Sequence, residues 1–261
     1  MATLAEATTP RRDGERIVFD VLPGWRQGRG AYGGLCVAAL IRAIELHVDN
    51  ASRAVRSVTA ELPGALEPGR VDIAVETLRT GKHMSTVRAA IVQGGETRSH
   101  AVAILAETRT ATASWNQLAR PAAPAFSADG PPAAFPMPEF AAHFEYRLVS
   151  GVPFSNTPPE TIGWIRPRDP GAPRDAAYIA AVIDAWWPSV LNRFQTFRPM
   201  ATIAFTLDIV AGLAGVAPDA PLLYRGTAPV CADGYFLETR ELWTDDGRLV
   251  ALNQQTFAII A

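Results

Sequence analysis

The residue best equipped for chemistry in this chain is Asp184. It stands alone in an apolar run, Ala180-Ala181-Val182-Ile183-Asp184-Ala185-Trp186-Trp187. Taking a carboxylate out of water among such neighbours is costly, so it must find hydrogen-bond partners, and burial alone raises its pKa. A carboxylate in that setting, held ionised by a partner, can take a proton from water. The plainer alternative is an Asp at a helix end turned to solvent, because Pro188 follows four residues later.

A second group of interest is Gly28-Arg29-Gly30-Ala31-Tyr32-Gly33, which matches the glycine spacing GxGxxG. A dinucleotide site also needs a parallel βαβ unit and an acid on the next strand, and neither is expected here. What survives is the physics of a helix start, where exposed N–H groups favour negative charge. Alternatively, the glycines serve only to let the chain approach its neighbours closely. The four histidines (His47, His83, His100, His143) show no metal-ligand spacing, and there is no GxSxG, Walker A or HExxH motif. Cys36 and Cys231 sit in apolar stretches and read as small core residues, not as a disulfide or metal site.

These residues need elements to position them, and the elements come in two similar sets. The first is a short strand at 17–22, a helix from Leu35 to about His47 with no polar face in its first two turns, and strands at 56–62, 70–78, 84–93 and 97–107. Gly94-Gly95 marks a tight hairpin between the last two. The second set runs in the same order: a strand at 161–166, a helix capped near Asp175 and closed by Pro188, and strands at 201–210, 222–228, 235–244 and 248–260. Asp245-Asp246-Gly247 matches the glycine hairpin. Nine of the 21 prolines fall between Pro121 and Pro159, so a linker with one strand at 143–150 joins the sets. The expected organisation is an N-terminal unit at 1–109, a Pro/Ala-rich linker at 110–142 and a C-terminal unit at 143–261. Each unit is a buried helix against an antiparallel sheet, an α+β layout.

A formal net charge of −2 with no block of Lys or Arg argues against nucleic-acid or membrane-surface partners. No signal-peptide pattern and no long apolar span occur, so a soluble cytoplasmic protein is the expectation.

In its ordered motifs the chain resembles the double-hotdog acyl-CoA thioesterases of the thioesterase II type. The resemblance rests on Tyr32-Gly33-Gly34 opening the first helix, on 75–81 followed by 85–93, on Ile183-Asp184-Ala185, on Ala201-Thr202-Ile203, and on 246–251 followed by Gln255. It implies two fused hotdog units and a site in which Asp184, Thr202 and Gln255 bind and orient the hydrolytic water. Thr206 competes with Thr202 as the strand hydroxyl, and Gln254 with Gln255, since a one-residue slip exchanges the faces of a strand. Where better-known members carry an Asp-His pair shortly after the Thr, this chain has Ala204 and Phe205.

The expected function is hydrolysis of an acyl-CoA thioester by general-base-activated water, in lipid metabolism. Tyr32, Gly33 and Gly34 would meet the substrate, the glycine amides polarising its carbonyl. No metal or cofactor is expected, CoA being part of the substrate. Arg79, Lys82 and Arg88 are the basic residues available for its phosphates. Two other readings stand beside this one: a non-catalytic acyl-CoA or acyl-carrier binding member, and an enoyl thioester hydratase. The outer strand edges leave a homodimer or higher homo-oligomer open. One active site is expected, not two, because the first helix has no acid before Glu45.

Overall fold

The computed structural model describes residues 2–110, 113–127 and 136–260. Its N-terminal half holds α1 (Leu4–Ala7), β1 (Arg11–Asp13), β2 (Arg16–Val21), the two-residue strands β3 (Arg26–Gln27) and β4 (Gly30–Ala31), α2 (Gly33–Val48), β5 (Ala54–Glu61), β6 (Gly69–Thr80), β7 (Met84–Gln93) and β8 (Glu96–Ala106). The C-terminal half holds β9 (Phe144–Ser150), β10 (Glu160–Pro167), α3 (Ala176–Asp184), β11 (Met200–Ile209), β12 (Leu222–Ala232), β13 (Tyr235–Trp243) and β14 (Leu249–Ile259).

Among the described residues, twelve strands form one antiparallel sheet in the order β1-β2-β6-β7-β8-β5-β11-β14-β13-β12-β10-β9. The order reads alike from its centre outward, because β5 of one half pairs with β11 of the other around Thr59 and Thr206. Val58 pairs with Leu207 and Ala60 with Phe205 about that centre. The two helices lie inside, packed on each other, and α2 is buried from Gly34 to Ile44. This is the expected α+β double-hotdog layout.

Both ladders kink at the same place. β11 shifts register against β14 between Thr202 and Ala204, and β5 shifts against β8 between Val55 and Ser57. A β-bulge puts two residues opposite one and reverses which face the following side chain takes. By plain alternation from Phe205, Ile203 would face the helices; the bulge instead opposes Thr202 to Phe257 on the inner face.

The helices approach at small residues. A Cβ added to Gly34 would lie 2.7 Å from Tyr32 Cε2, 2.8 Å from Asp184 Cβ and 3.1 Å from Ala181 Cα. α3 starts on its own cap, Asp175, which accepts from the Tyr178 N–H at 2.9 Å. It ends at Asp184, one turn before Pro188, and the Ala185 carbonyl accepts from the Tyr146 hydroxyl at 3.0 Å.

Several expectations need correction. β12 runs four residues past Ala228 to Ala232, and Cys231 near its end is exposed, so only Cys36 is a core residue. The described part of the expected linker is packed on both halves: residues 120–126 lie on the C-terminal half, and Phe140 stacks on Tyr32 of the N-terminal half. The Pro124 carbonyl accepts from Trp164 Nε1 at 2.9 Å, and Phe126 meets the same indole edge-on. Residues 111–112 and 128–135 of that linker lie outside the described residues. The N-terminal helix α1 was not expected. Its Leu4 and Ala5 amides donate to the carbonyls of Asp169 and Pro170, just before α3.

There α1 joins a buried cation. Arg42 Nη1 donates to the Ala5 carbonyl at 2.8 Å and to Thr9, while Nη2 reaches the Pro173 carbonyl at 3.3 Å and Asp175 Oδ1 at 3.4 Å. Glu45 follows one turn along α2. Burial pushes its carboxyl up to about 7, helped by the Asp175 charge and opposed by Arg42. The folded chain therefore keeps a proton there that the unfolded chain loses near the ordinary value of 4.5. The folded state binds more protons between those values, so stability falls as pH rises from about 4.5 to about 7. Glu45→Gln should flatten that part of a curve of melting temperature against pH; an unchanged slope would refute the assignment. At the helix contact, Gly34→Ala should lower stability by about 1–3 kcal/mol through overpacking, measured as a urea-midpoint shift at constant m-value.

Candidate active site

The site forms where the end of α3 meets the start of α2 and the inner face of the C-terminal sheet. Asp184 is 8% exposed and is not turned to solvent. Its Oδ1 accepts from Gln255 Nε2 at 2.7 Å and from Arg240 Nη1 at 3.2 Å. The Gly34 backbone amide also favours the ionised carboxylate. Burial pushes the Asp184 pKa above the ordinary carboxylate value; Arg240, Gln255 and the Gly34 amide pull it back without cancelling the rise.

Gln255 is buried and its amide is tied at both ends. Oε1 accepts from the Thr202 hydroxyl at 3.0 Å, and Nε2 donates to Asn253 Oδ1 at 2.9 Å as well as to Asp184. Asn253 in turn donates from Nδ2 to the Thr206 carbonyl at 2.7 Å, which fixes its oxygen toward Gln255. Thr202 is only partly buried, so the chain Thr202–Gln255–Asp184 runs from an accessible rim into the core. That rim includes Ile203, 38% exposed, whose carbonyl accepts from the Leu62 amide of the other half at 3.2 Å.

The structure thus brings Asp184, Thr202 and Gln255 together and separates them from their competitors. Thr206 and Gln254 pair across the ladder on the opposite face from Phe205 and Gln255. Gly33 is at the site, since a Cβ there would lie 3.0 Å from Asp184 Oδ2. The expectation for Tyr32 needs correction. Gly34 sits at the contact between the helices, while Tyr32 is fully buried. Its ring stacks on Phe140 at 4.2 Å, and its hydroxyl donates to the Ala181 carbonyl at 3.4 Å. Tyr32 ties α2 to α3 and has no surface for a substrate.

Two site residues escaped the sequence reading. Arg240 and Glu238 are 1% and 0% exposed on the inner face of β13, in step with Phe236 and Leu242. Arg240 Nε donates to Glu238 Oε1 at 2.8 Å, and its Nη1 also reaches the Ile183 carbonyl at 3.2 Å. Period-two alternation alone would have found them.

The proposed phosphate partners lie elsewhere. Arg88 is paired with Glu76 at 2.7 Å, on exposed side chains. The turn carrying Arg79 and Lys82 sits by the far end of α2, where His47 Nε2 meets Thr77 Oγ1 at 2.9 Å. A sixteen-residue helix is about 24 Å long, so that turn is remote from Asp184. The histidines are dispersed as well. His143 stacks on Trp25 at 3.7 Å and contacts the Gly24 carbonyl at 3.0 Å, while His83 and His100 pair with Glu107 and Glu61.

Comparison with known proteins identifies the fold and the family. Residues 21–114 match the acyl-CoA thioesterase N-terminal domain, and residues 119–259 match the acyl-CoA thioesterase C-terminal domain. A hot dog fold protein of unknown function from Alicyclobacillus acidocaldarius superposes with a TM-score of 0.91 at 24% identity, over 100% of this chain and 99% of that one. An acyl-CoA thioesterase II from Mycobacterium marinum superposes with a TM-score of 0.75 at 20% identity, over 99% and 98%. At such identities the likeness establishes the fold. No curated protein sequence matches the chain. With both domain models matched in order along one chain, this protein belongs to the acyl-CoA thioesterase family and is a thioester hydrolase.

Proposed function

We propose that Asp184 is the general base of acyl-CoA hydrolysis, acting on a water held by Thr202 and Gln255. The observation that carries this reading is the continuous hydrogen-bonded chain from the Thr202 hydroxyl through Gln255 to Asp184. Asp184 takes a proton from the water, and the oxygen attacks the thioester carbonyl carbon. Negative charge develops on the carbonyl oxygen, for which the Gly33 amide at the start of α2 is the assigned donor. Collapse of the tetrahedral species breaks the carbon–sulfur bond, and the leaving thiolate receives the proton from Asp184. The free acid and CoA result, with no covalent enzyme intermediate and no cofactor beyond the CoA of the substrate.

The raised pKa of Asp184 favours this role, since a base works best when its pKa approaches the working pH. We place the reaction in cytoplasmic lipid metabolism, with no nucleic-acid or membrane partner, and assign self-association to the sheet edges at β1 and β9. Among the described residues no helix is long and apolar enough to cross a membrane.

Asp184→Asn should lower turnover of an acyl-CoA panel by roughly 10²- to 10⁴-fold, read as free thiol released. Thr206→Val and Gln254→Ala should remain near the parent rate. A folded Asp184→Asn protein with the parent rate would overturn the assignment.

A further inference from the structure

The two halves of the sheet provide an internal comparison. Superposing them through their ladders sets Thr202 on Val55, Gln255 on Ala103, Asn253 on Ala101, Glu238 on Val87 and Arg240 on Ala89. Each polar group of one half meets a hydrophobic residue in the other. The fold therefore forms without a buried charge at either β13 position. Burying ions is costly, and replacing them by packed apolar side chains is commonly neutral or stabilising. Arg240 and Glu238 accompany the acid, not the scaffold.

We propose that Arg240, restrained by Glu238, is a positioning residue that sets the pH at which Asp184 can act as a base. This inference rests on the general-base reading given above. Asp184 is faced by Tyr32 and Cys36 from α2, Tyr146 from β9, Tyr224 from β12 and Arg240 from β13, with Glu238 behind Arg240. Arg240 is the cation of this set. Left to the apolar pocket, Asp184 would hold its proton, and the Arg240 charge at 3.2 Å favours the ionised form. Glu238 draws the same guanidinium the other way at 2.8 Å. Burial pushes the Glu238 pKa up, and the groups that touch it all donate and favour its ionised form: Arg240 Nε, the Ser189 amide at 2.7 Å and the Tyr224 hydroxyl at 3.2 Å. Arg240 is thereby shared, leaving Asp184 ionised yet still basic.

The test is the rising limb of kcat/KM against pH with one acyl-CoA substrate. Arg240→Met should move it upward by about 1–3 pH units, the usual effect of a close opposite charge, with rate recovered at high pH. Glu238→Gln should move it downward, because the guanidinium then serves Asp184 alone. Arg240→Lys should lie between the parent and Arg240→Met. Should Arg240→Met fail to fold with Glu238 left unpaired, the double variant Arg240→Met/Glu238→Gln removes both charges and should still show the upward shift. A merely structural role would lower the rate at every pH and leave the limb in place; folded variants with that behaviour overturn the proposal. Asp184→Asn separates the two readings. If it keeps the parent rate, the general-base reading fails; if it is inactive while the limbs stay fixed, only the role of Arg240 fails.

Discussion

A carboxyl group taken out of water needs partners for its oxygens, and the surroundings of Asp184 follow from that constraint. The residue sits at the C-terminal end of α3, the end whose dipole repels an anion, and against the N-terminal end of α2, which attracts one. Antiparallel packing of the helices brings those ends together. It does so at short range only because Gly34 and Ala181 have almost no side chain at the crossing. Arg240 then serves two acceptors at once, the Ile183 carbonyl left open by the end of α3 and the Asp184 carboxylate itself. Helix termination and charge compensation are performed by one guanidinium.

The duplicated sheet shows which features belong to the fold and which to the site. The bulge appears in both halves, at Val55/Ser57 and at Thr202/Ala204, so it is part of how either ladder bends. The hydroxyl it aims inward exists in one half only. The inner faces of β7 and β8 carry Val87, Ala89, Ala101 and Ala103 where β13 and β14 carry Glu238, Arg240, Asn253 and Gln255. One half is apolar at these positions and the other carries the polar network around Asp184.

Much of this was legible in the sequence. The repeat, the glycine and Asp-Gly hairpins and the apolar helices gave the architecture, since each depends on local pattern. Asp184 was legible because a charge in an apolar helix has few innocent explanations. Thr202 against Thr206, and Gln255 against Gln254, were not separable, because face assignment by alternation fails across a bulge and nothing in Ala201–Phe205 announces one. Arg240 and Glu238 escaped because charged residues alternating along a strand read as its wet face, although their parity with Phe236 and Leu242 says otherwise. The roles of Tyr32 and Gly34 depend on the other helix, and α1 is held by Asp169 and Pro170, far away in sequence.

The two helix starts explain why the acid lies where it does. α3 carries its own capping side chain, Asp175, and that end is closed further by Arg42 and by α1. α2 starts at Tyr32, which makes no side-chain cap, so its first amides need an acceptor from elsewhere. Asp184 lies against that end, with its Oδ2 beside Gly33 and its Cβ beside Gly34, and the Gly34 amide favours its ionised form. The carboxylate is held at Oδ1 by Gln255 and Arg240 from the sheet, and its other oxygen faces the start of α2. A side chain fixed from the sheet on one side and by a helix pair on the other has little freedom to reorient, which is the condition that catalysis by orientation requires.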